Sequence, residues 1–111
     1  MKIIRGREAI EAAKTTEFPT RREISDHARG YVKGYVSAYY SIGEGWLFCG
    51  HSDTLDEAAA AFDDIKMLYD AFPDTFNWND VTDKVIFKAN GANPLNPSDV
   101  RWYACAMVVD E

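Results

Sequence analysis

A chain of 111 residues with 47% hydrophobic and 14% aromatic residues can form the core of one small domain, which excludes an intrinsically disordered protein. The net charge of −6 is unevenly spread, because residues 1–34 hold eight basic and five acidic groups whereas residues 35–111 hold four basic and thirteen acidic groups. An acidic surface of this kind disfavours direct binding to nucleic acid and favours basic partners.

The N-terminus and the hydropathy pattern indicate where the protein works. No apolar run reaches the ~18–20 residues that a membrane span needs, and Lys2, Arg5 and Arg7 interrupt any signal-peptide core. We therefore expect a cytoplasmic protein with no membrane contact. In that reducing compartment Cys49 and Cys105 are expected to be free thiols that hold no metal, and no residue pattern indicates a cofactor.

Two helices are predicted near the N-terminus. Good helix formers predict a short helix over residues 7–14, and the capping-box pattern Thr20–Glu23 predicts that a second helix begins at Arg21. The order of these elements, with this helix start, resembles the opening of a helix-turn-helix or winged-helix domain. The resemblance implies an alternative function, DNA binding through the basic residues of the segment, which are Arg21, Arg22, Arg29 and Lys33.

The segment Tyr31–Tyr40 fits either a continuation of the second helix or a strand. Gly30, Gly34 and the aromatic and β-branched residues favour the strand, with Gly30 as the C-terminal cap of the helix. A tight turn at residues 43–45 and the apolar residues 46–49 then complete a hairpin. Three tyrosines would share one face of the first strand and are candidate partner-binding residues: Tyr31, Tyr35 and Tyr39.

The clearest predicted element is a helix over Thr54–Phe72, which a second capping box opens and Pro73 closes. Its buried face is predicted to consist of Leu55, Ala58, Phe62, Ile65, Tyr69 and Phe72. Its outward face carries five acidic residues, which are the main candidate partner-binding residues: Asp56, Glu57, Asp63, Asp64 and Asp70. Only Lys66 relieves this negative charge within the helix.

The C-terminal part of the chain predicts two more strands. The first lies near Lys84–Ala89, and a loop rich in Gly, Asn and Pro follows over Asn90–Pro97. The long apolar run Val100–Val109 suits a central strand that is covered on both faces. The order α-α-β-β-α-β-β over residues 1–111 predicts one α+β domain, with a roughly four-stranded antiparallel sheet and helices packed on one face.

One short segment offers side chains suited to chemistry. On a continuing strand Cys49, His51 and Asp53 would project to the same side, and thiol, imidazole and carboxylate groups suit a nucleophile or a metal. Alternate strand positions lie ~6–7 Å apart, however, too far for the ~3 Å contact between a nucleophile and its base. A small enzyme or a metal-site protein is therefore the second alternative.

Charge and composition together predict a non-enzymatic acidic binding protein whose partner is a protein with a basic groove. In size, charge and lack of a catalytic motif, the chain is similar to the anti-restriction and anti-CRISPR proteins of phages and plasmids. The resemblance implies an inhibitor of a host defence system that handles nucleic acid, in which the acidic helix face competes with phosphate. A homodimer is compatible with a domain of this size.

Overall fold

The computed structural model describes residues 2–15, 17–90 and 99–110. Strands β1 to β5 span Lys2–Arg5, Tyr35–Ser41, Gly45–Ser52, Val81–Ala89 and Trp102–Val109. Helices α1 to α3 span Arg7–Ala12, Arg21–His27 and Leu55–Ala71, and a short 3-10 helix at Trp78–Asp80 leads into β4. The five strands form one antiparallel sheet in the spatial order β1-β5-β4-β2-β3.

The two faces of the sheet each have their own helical layer. On one face α1 and α2 pack through Ala9, Ile24 and Ala28 against a cluster that includes Val36 and Val85. On the opposite face α3 packs through Ala58, Phe62 and Tyr69 against Ile86 and Val108. Successive residues of a strand point to opposite faces, so each central strand supplies both clusters.

The predicted α+β class and antiparallel sheet are confirmed, with two differences in detail. The sheet has a fifth strand, β1, whose apolar Ile3 and Ile4 pair with Val108 and Met107 of β5. A strand of four residues is too short to give a clear alternation pattern in the sequence. The helices lie on both faces rather than one, because the central strands carry apolar side chains on both faces and each face needs a cover.

The last strand behaves as its composition predicts. β5 lies between β1 and β4, and its residues alternate between the two apolar clusters. Met107 and Trp102 face α1 and α2, whereas Val108 and Cys105 face α3. The predicted loop before this strand falls mainly on residues outside the described ranges.

The segment after α2 forms a strand, but it starts later than predicted. Gly34 adopts a φ of +89°, and a Cβ there would come within 2.6 Å of Nε2 of His51, so only glycine fits this approach. The chain can therefore enter the sheet only at Tyr35, and Tyr31 lies outside β2. The helix cap also differs, because Ala28 is the C-terminal cap of α2 and Gly30 lies beyond it.

The predicted hairpin is confirmed, and its second strand is longer than expected. Gly43 and Gly45 take the left-handed conformation on either side of Glu44. Gly50 does not end the strand, because Gly50 pairs with Ser37 while Phe48 pairs with Ala38. Cys49 is the extra residue of a β-bulge between them.

The long helix α3 is where the sequence predicts it, between the cap residue Thr54 and Pro73. The hydroxyl of Thr54 accepts from the backbone N–H of Glu57 at 3.1 Å. Phe62 and Tyr69 are buried and Leu55 and Ile65 are half-buried, as the predicted apolar face requires. The prediction is wrong for Phe72, which is 55% exposed because the backbone leaves the helix at this residue.

No helix within the described ranges has the length and apolar character that a membrane crossing requires.

Candidate binding surface

The five predicted acidic residues of α3 form one exposed surface, which we call the acidic face. All five side chains are exposed, and they lie opposite the residues that pack on the sheet. With 3.6 residues per turn, residues seven apart fall nearly in line. The acidic face therefore consists of two rows along the helix axis, one of Asp56, Asp63 and Asp70 and the other of Glu57 and Asp64.

The negative charge of this face is largely uncompensated. Lys66 donates to Asp70 at 2.8 Å, and this hydrogen bond is the main reason why the pKa of Lys66 is raised. Both partners are exposed, so the pair contributes little to stability. Within the described ranges no basic side chain forms an ion pair with the other four acidic residues.

Exposed apolar side chains accompany the acidic face near the C-terminal end of α3, and we call them the apolar strip. Met67 lies between the two acidic rows and is 70% exposed. Leu68 and Phe72 continue the strip beside the second row. Among the described residues, three of the seven exposed large hydrophobic side chains lie in this strip. Sequence reasoning missed the strip, because it placed Phe72 within the buried face and assigned only acidic residues to the outward face.

Exposed apolar side chains supply contact area that can be desolvated, and charges of one sign favour a partner of the opposite sign. No family model, curated protein or solved structure matches this chain. The outer surface of α3 is therefore the candidate binding surface.

The three candidate tyrosines do not form one exposed face. Tyr31 is 52% exposed and stacks on His51, with ring centroids 4.2 Å apart. Tyr35 and Tyr39 share the face of β2 that α3 covers. Tyr39 is buried, and its hydroxyl lies 3.3 Å from that of Tyr69. Burial first, and the bond with Tyr69 second, raise the pKa of Tyr39, so this residue belongs to the core.

The candidate chemical residues Cys49, His51 and Asp53 line one open pocket of about 360 Å³, beside Arg29 and Glu57. Burial raises the pKa of Cys49 to about 12, whereas a nucleophilic cysteine needs a lowered pKa.

His51 in this pocket already has two structural partners. Its Nε2 lies 2.7 Å from the carbonyl oxygen of Lys33, to which it donates, and its ring stacks on Tyr31. Among the described residues no three His, Cys, Asp or Glu side chains are grouped for a metal.

The two thiols are too far apart for a disulfide, as the sequence predicts. Cys49 lies on β3 and Cys105 on β5, with β2 and β4 between them. Three strand spacings amount to about 14 Å, whereas bridged cysteines have Cα atoms within about 7 Å. Burial also raises the pKa of Cys105, so both thiols are protected from reaction at neutral pH.

The segment that resembles a helix-turn-helix opening takes a different form. Residues 13–20 separate α1 from α2, far more than a tight turn. Ile24 and Ala28 hold α2 against the sheet, and the chain then enters β2 rather than a recognition helix. The basic residues of the segment are exposed, but the exposed acids Glu23 and Asp26 lie among them.

A buried carboxylate fixes the segment after α1. Asp83 is 1% exposed and accepts backbone hydrogen bonds from Lys14 at 2.9 Å and from Thr15 at 2.8 Å. These bonds draw the chain out of the helix, so α1 ends at Ala12 rather than at the predicted Lys14. Asp83 is therefore a structural residue.

Proposed function

We propose that this protein is a non-enzymatic binding protein that acts in the cytoplasm and docks the outer surface of α3 on a basic surface of a protein partner. One observation carries the proposal: all five side chains of the acidic face are exposed, with the apolar strip among and beside its rows. The uncompensated charge attracts a basic partner and speeds its association. The strip supplies contact area that can be desolvated, which is where most binding energy resides.

The dimensions of α3 suit an extended basic groove. Its 17 residues span about 25 Å, and residues seven apart along one row are separated by about 10.5 Å along the axis. Carboxylates repel the phosphates of nucleic acid and attract the Lys and Arg side chains that bind phosphate. We therefore assign the partner to proteins that hold nucleic acid in a basic groove, which α3 occupies in its place.

Competition with nucleic acid for the partner's groove also indicates a biological role. A protein that fills the nucleic-acid groove of its partner inhibits that partner without catalysing a reaction. The proposed role is inhibition of a host defence system that handles nucleic acid, of the anti-CRISPR or anti-restriction type carried by phages and plasmids.

The first test compares two charge-reversed variants in a pull-down from host lysate, with mass spectrometry to identify the partner. One variant changes the first acidic row: Asp56→Lys, Asp63→Lys and Asp70→Lys. The control makes the same change of net charge at three exposed acids of the other helical layer: Glu11→Lys, Glu17→Lys and Asp26→Lys. We expect the first variant to lose the partner and the control to keep it.

Equal capture by both variants would contradict docking through α3. The inhibitor role has its own readout, because wild-type protein should displace labelled nucleic acid from the purified partner. A partner that binds α3 and still keeps its nucleic acid would leave the docking proposal standing and rule out competition.

A further inference from the structure

The two edges of the sheet differ in their protection. Edge strands in natural proteins are shielded by shortness, charge or proline, since their free backbone groups invite pairing. β1 has four residues and carries Lys2 and Arg5 at its ends. β3 has eight residues without a charged side chain or a proline, and it includes Trp46, Leu47 and Phe48. The edge at β3 is therefore open to another strand.

Hydrogen bonds of β2 show which of its backbone groups face which neighbour. The residues directly before and after β2 are both even-numbered and both face the β4 side, because the carbonyl of Gly34 accepts from Ala89 and the N–H of Ile42 donates to Asp80. Backbone groups alternate in direction along a strand. Even-numbered residues of β2 therefore face β4 and odd-numbered residues face β3, in agreement with the bond from Glu44 to Ser41 in the hairpin.

The outward groups of β3 follow from its register with β2. Leu47 lies opposite Tyr39, an odd-numbered residue, so its backbone groups are used within the hairpin. Trp46 lies opposite Tyr40, and Phe48 lies opposite Ala38. Their N–H and C=O groups therefore point away from β2. In the described ranges no backbone group from outside the hairpin bonds to them.

The outward backbone groups of Trp46 and Phe48 can pair with the same groups in a second copy of β3. If two copies of β3 run antiparallel about a two-fold axis at Leu47, then Trp46 of each copy faces Phe48 of the other. Each such pair exchanges two hydrogen bonds between the outward backbone groups. Both aromatic side chains lie on the same face, where cross-strand aromatic pairs stabilise a sheet. The bulge at Cys49 limits the regular pairing to the residues before it.

The distribution of charge favours β3 of a second copy as the strand that pairs with this edge. Two chains of net charge −6 repel each other wherever acidic surfaces meet. The edge at β3 reduces this repulsion, because β3 itself contains no acidic residue and the register about Leu47 does not place Glu44 and Asp53, the acids that flank it in sequence, opposite each other. We propose that β3 pairs with β3 of a second copy, which joins two sheets into one and places both α3 helices on the same side.

Self-association should respond to salt in the opposite direction from partner binding. The interface contains uncharged backbone and apolar groups, whereas the approaching chains repel each other over their acidic surfaces. Added salt screens that repulsion. The dimer should therefore become tighter as the ionic strength rises.

Sedimentation analysis of the wild-type chain, Leu47→Lys and Ile10→Lys tests the proposal. We expect the wild-type chain to form dimers as its concentration is raised to about 1 mM, the upper end of weak dissociation constants. Leu47→Lys sets like charges opposite each other at the axis and should weaken the dimer at least about tenfold. Ile10→Lys replaces an exposed apolar residue of similar size on α1, away from β3, and should leave the dimer unchanged.

A cysteine variant keeps the test decisive even if Leu47→Lys folds poorly. Across the proposed axis the two residues at position 47 have Cα atoms about 4.5 Å apart, a separation that a disulfide can bridge. Under mild oxidation Leu47→Cys should form covalent dimers much faster than Ile10→Cys, in which the new thiol is exposed on α1, while burial keeps the pKa of both native thiols raised. A wild-type chain that is monomeric up to about 1 mM, or equal crosslinking by the two cysteine variants, overturns the proposal.

Discussion

The two helical layers of this molecule are held to the sheet in different ways. α3 packs through apolar residues at helical spacing, from Leu55 to Tyr69. The layer of α1 and α2 uses polar bonds between distant residues as well. The indole N–H of Trp46 donates to the carbonyl of Glu17 at 2.7 Å, and that of Trp102 donates to the hydroxyl of Ser25 at 3.2 Å.

This difference shows which polar groups of each layer hold the fold and which are free to bind a partner. In the layer of α1 and α2, polar groups are engaged in holding the layer in place. α3 is held mainly by its apolar face, together with two buried hydrogen bonds on that same face: the Ser37 hydroxyl donates to the carbonyl of Ala58 at 2.7 Å, and the Tyr69 hydroxyl donates to that of Tyr39 at 3.3 Å. The acidic face of α3 is therefore available for a partner.

The largest expected effect is on the α3 layer. Phe62 is 2% exposed and lies in the centre of its cluster. Phe62→Ala should lower the free energy of unfolding by about 3–5 kcal/mol, because it leaves a cavity between helix and sheet. Denaturant unfolding measures this loss. A loss below about 1 kcal/mol would mean that α3 is not held by its apolar face.

The next largest effect is expected from Asp83, whose hydrogen bonds hold the segment after α1. Asp83→Ala should lower the free energy of unfolding by about 2–4 kcal/mol, since two partly buried backbone N–H groups lose their carboxylate acceptor. Asp63→Ala removes an exposed carboxylate instead and should change stability by less than about 0.5 kcal/mol. Similar losses for the two variants would contradict the role assigned to Asp83.

A smaller effect on stability is expected at alkaline pH, from Cys49 on the sheet face that α3 covers. Burial first, and the charge of Asp64 second, raise the pKa of Cys49 from an ordinary value of 9.0 to about 12. The thiol then ionises more easily in the unfolded chain, so its contribution to stability is complete below pH 9.0 and is lost as the pH rises toward about 12. Between about pH 8 and pH 10 the loss should be about 1 kcal/mol. Cys49→Ser should show a shallower decline, and an unchanged slope would contradict this assignment.

Local signals in the sequence were sufficient to predict α3 and its acidic face. The capping residue Thr54, Pro73 and the helical spacing set the helix bounds and the outward direction of the five acids. The apolar strip could not be found in the same way. The exposure of Phe72 depends on where the backbone turns away from the sheet, which no local pattern shows.

Features that depend on distant residues escaped prediction. The bonds from Lys14 and Thr15 to Asp83 join residues almost seventy positions apart. The pairing of β1 with β5 joins the two ends of the chain, and the strand itself is too short for a periodic signal. The separation of Tyr31 from Tyr35 and Tyr39 follows from the close approach of Gly34 to His51, which is also a tertiary contact.

The most direct test of docking through α3 is the salt dependence of the association rate with the captured partner. The wild-type chain is compared with a variant in which Asp56, Asp63 and Asp70 are each changed to Asn, which removes the charge and keeps the size. The wild-type rate should fall at least about tenfold between low and high salt, and the variant should associate slowly with little dependence on salt. Equal rates and equal salt dependence for the two proteins would contradict the assignment of α3 as the contact surface.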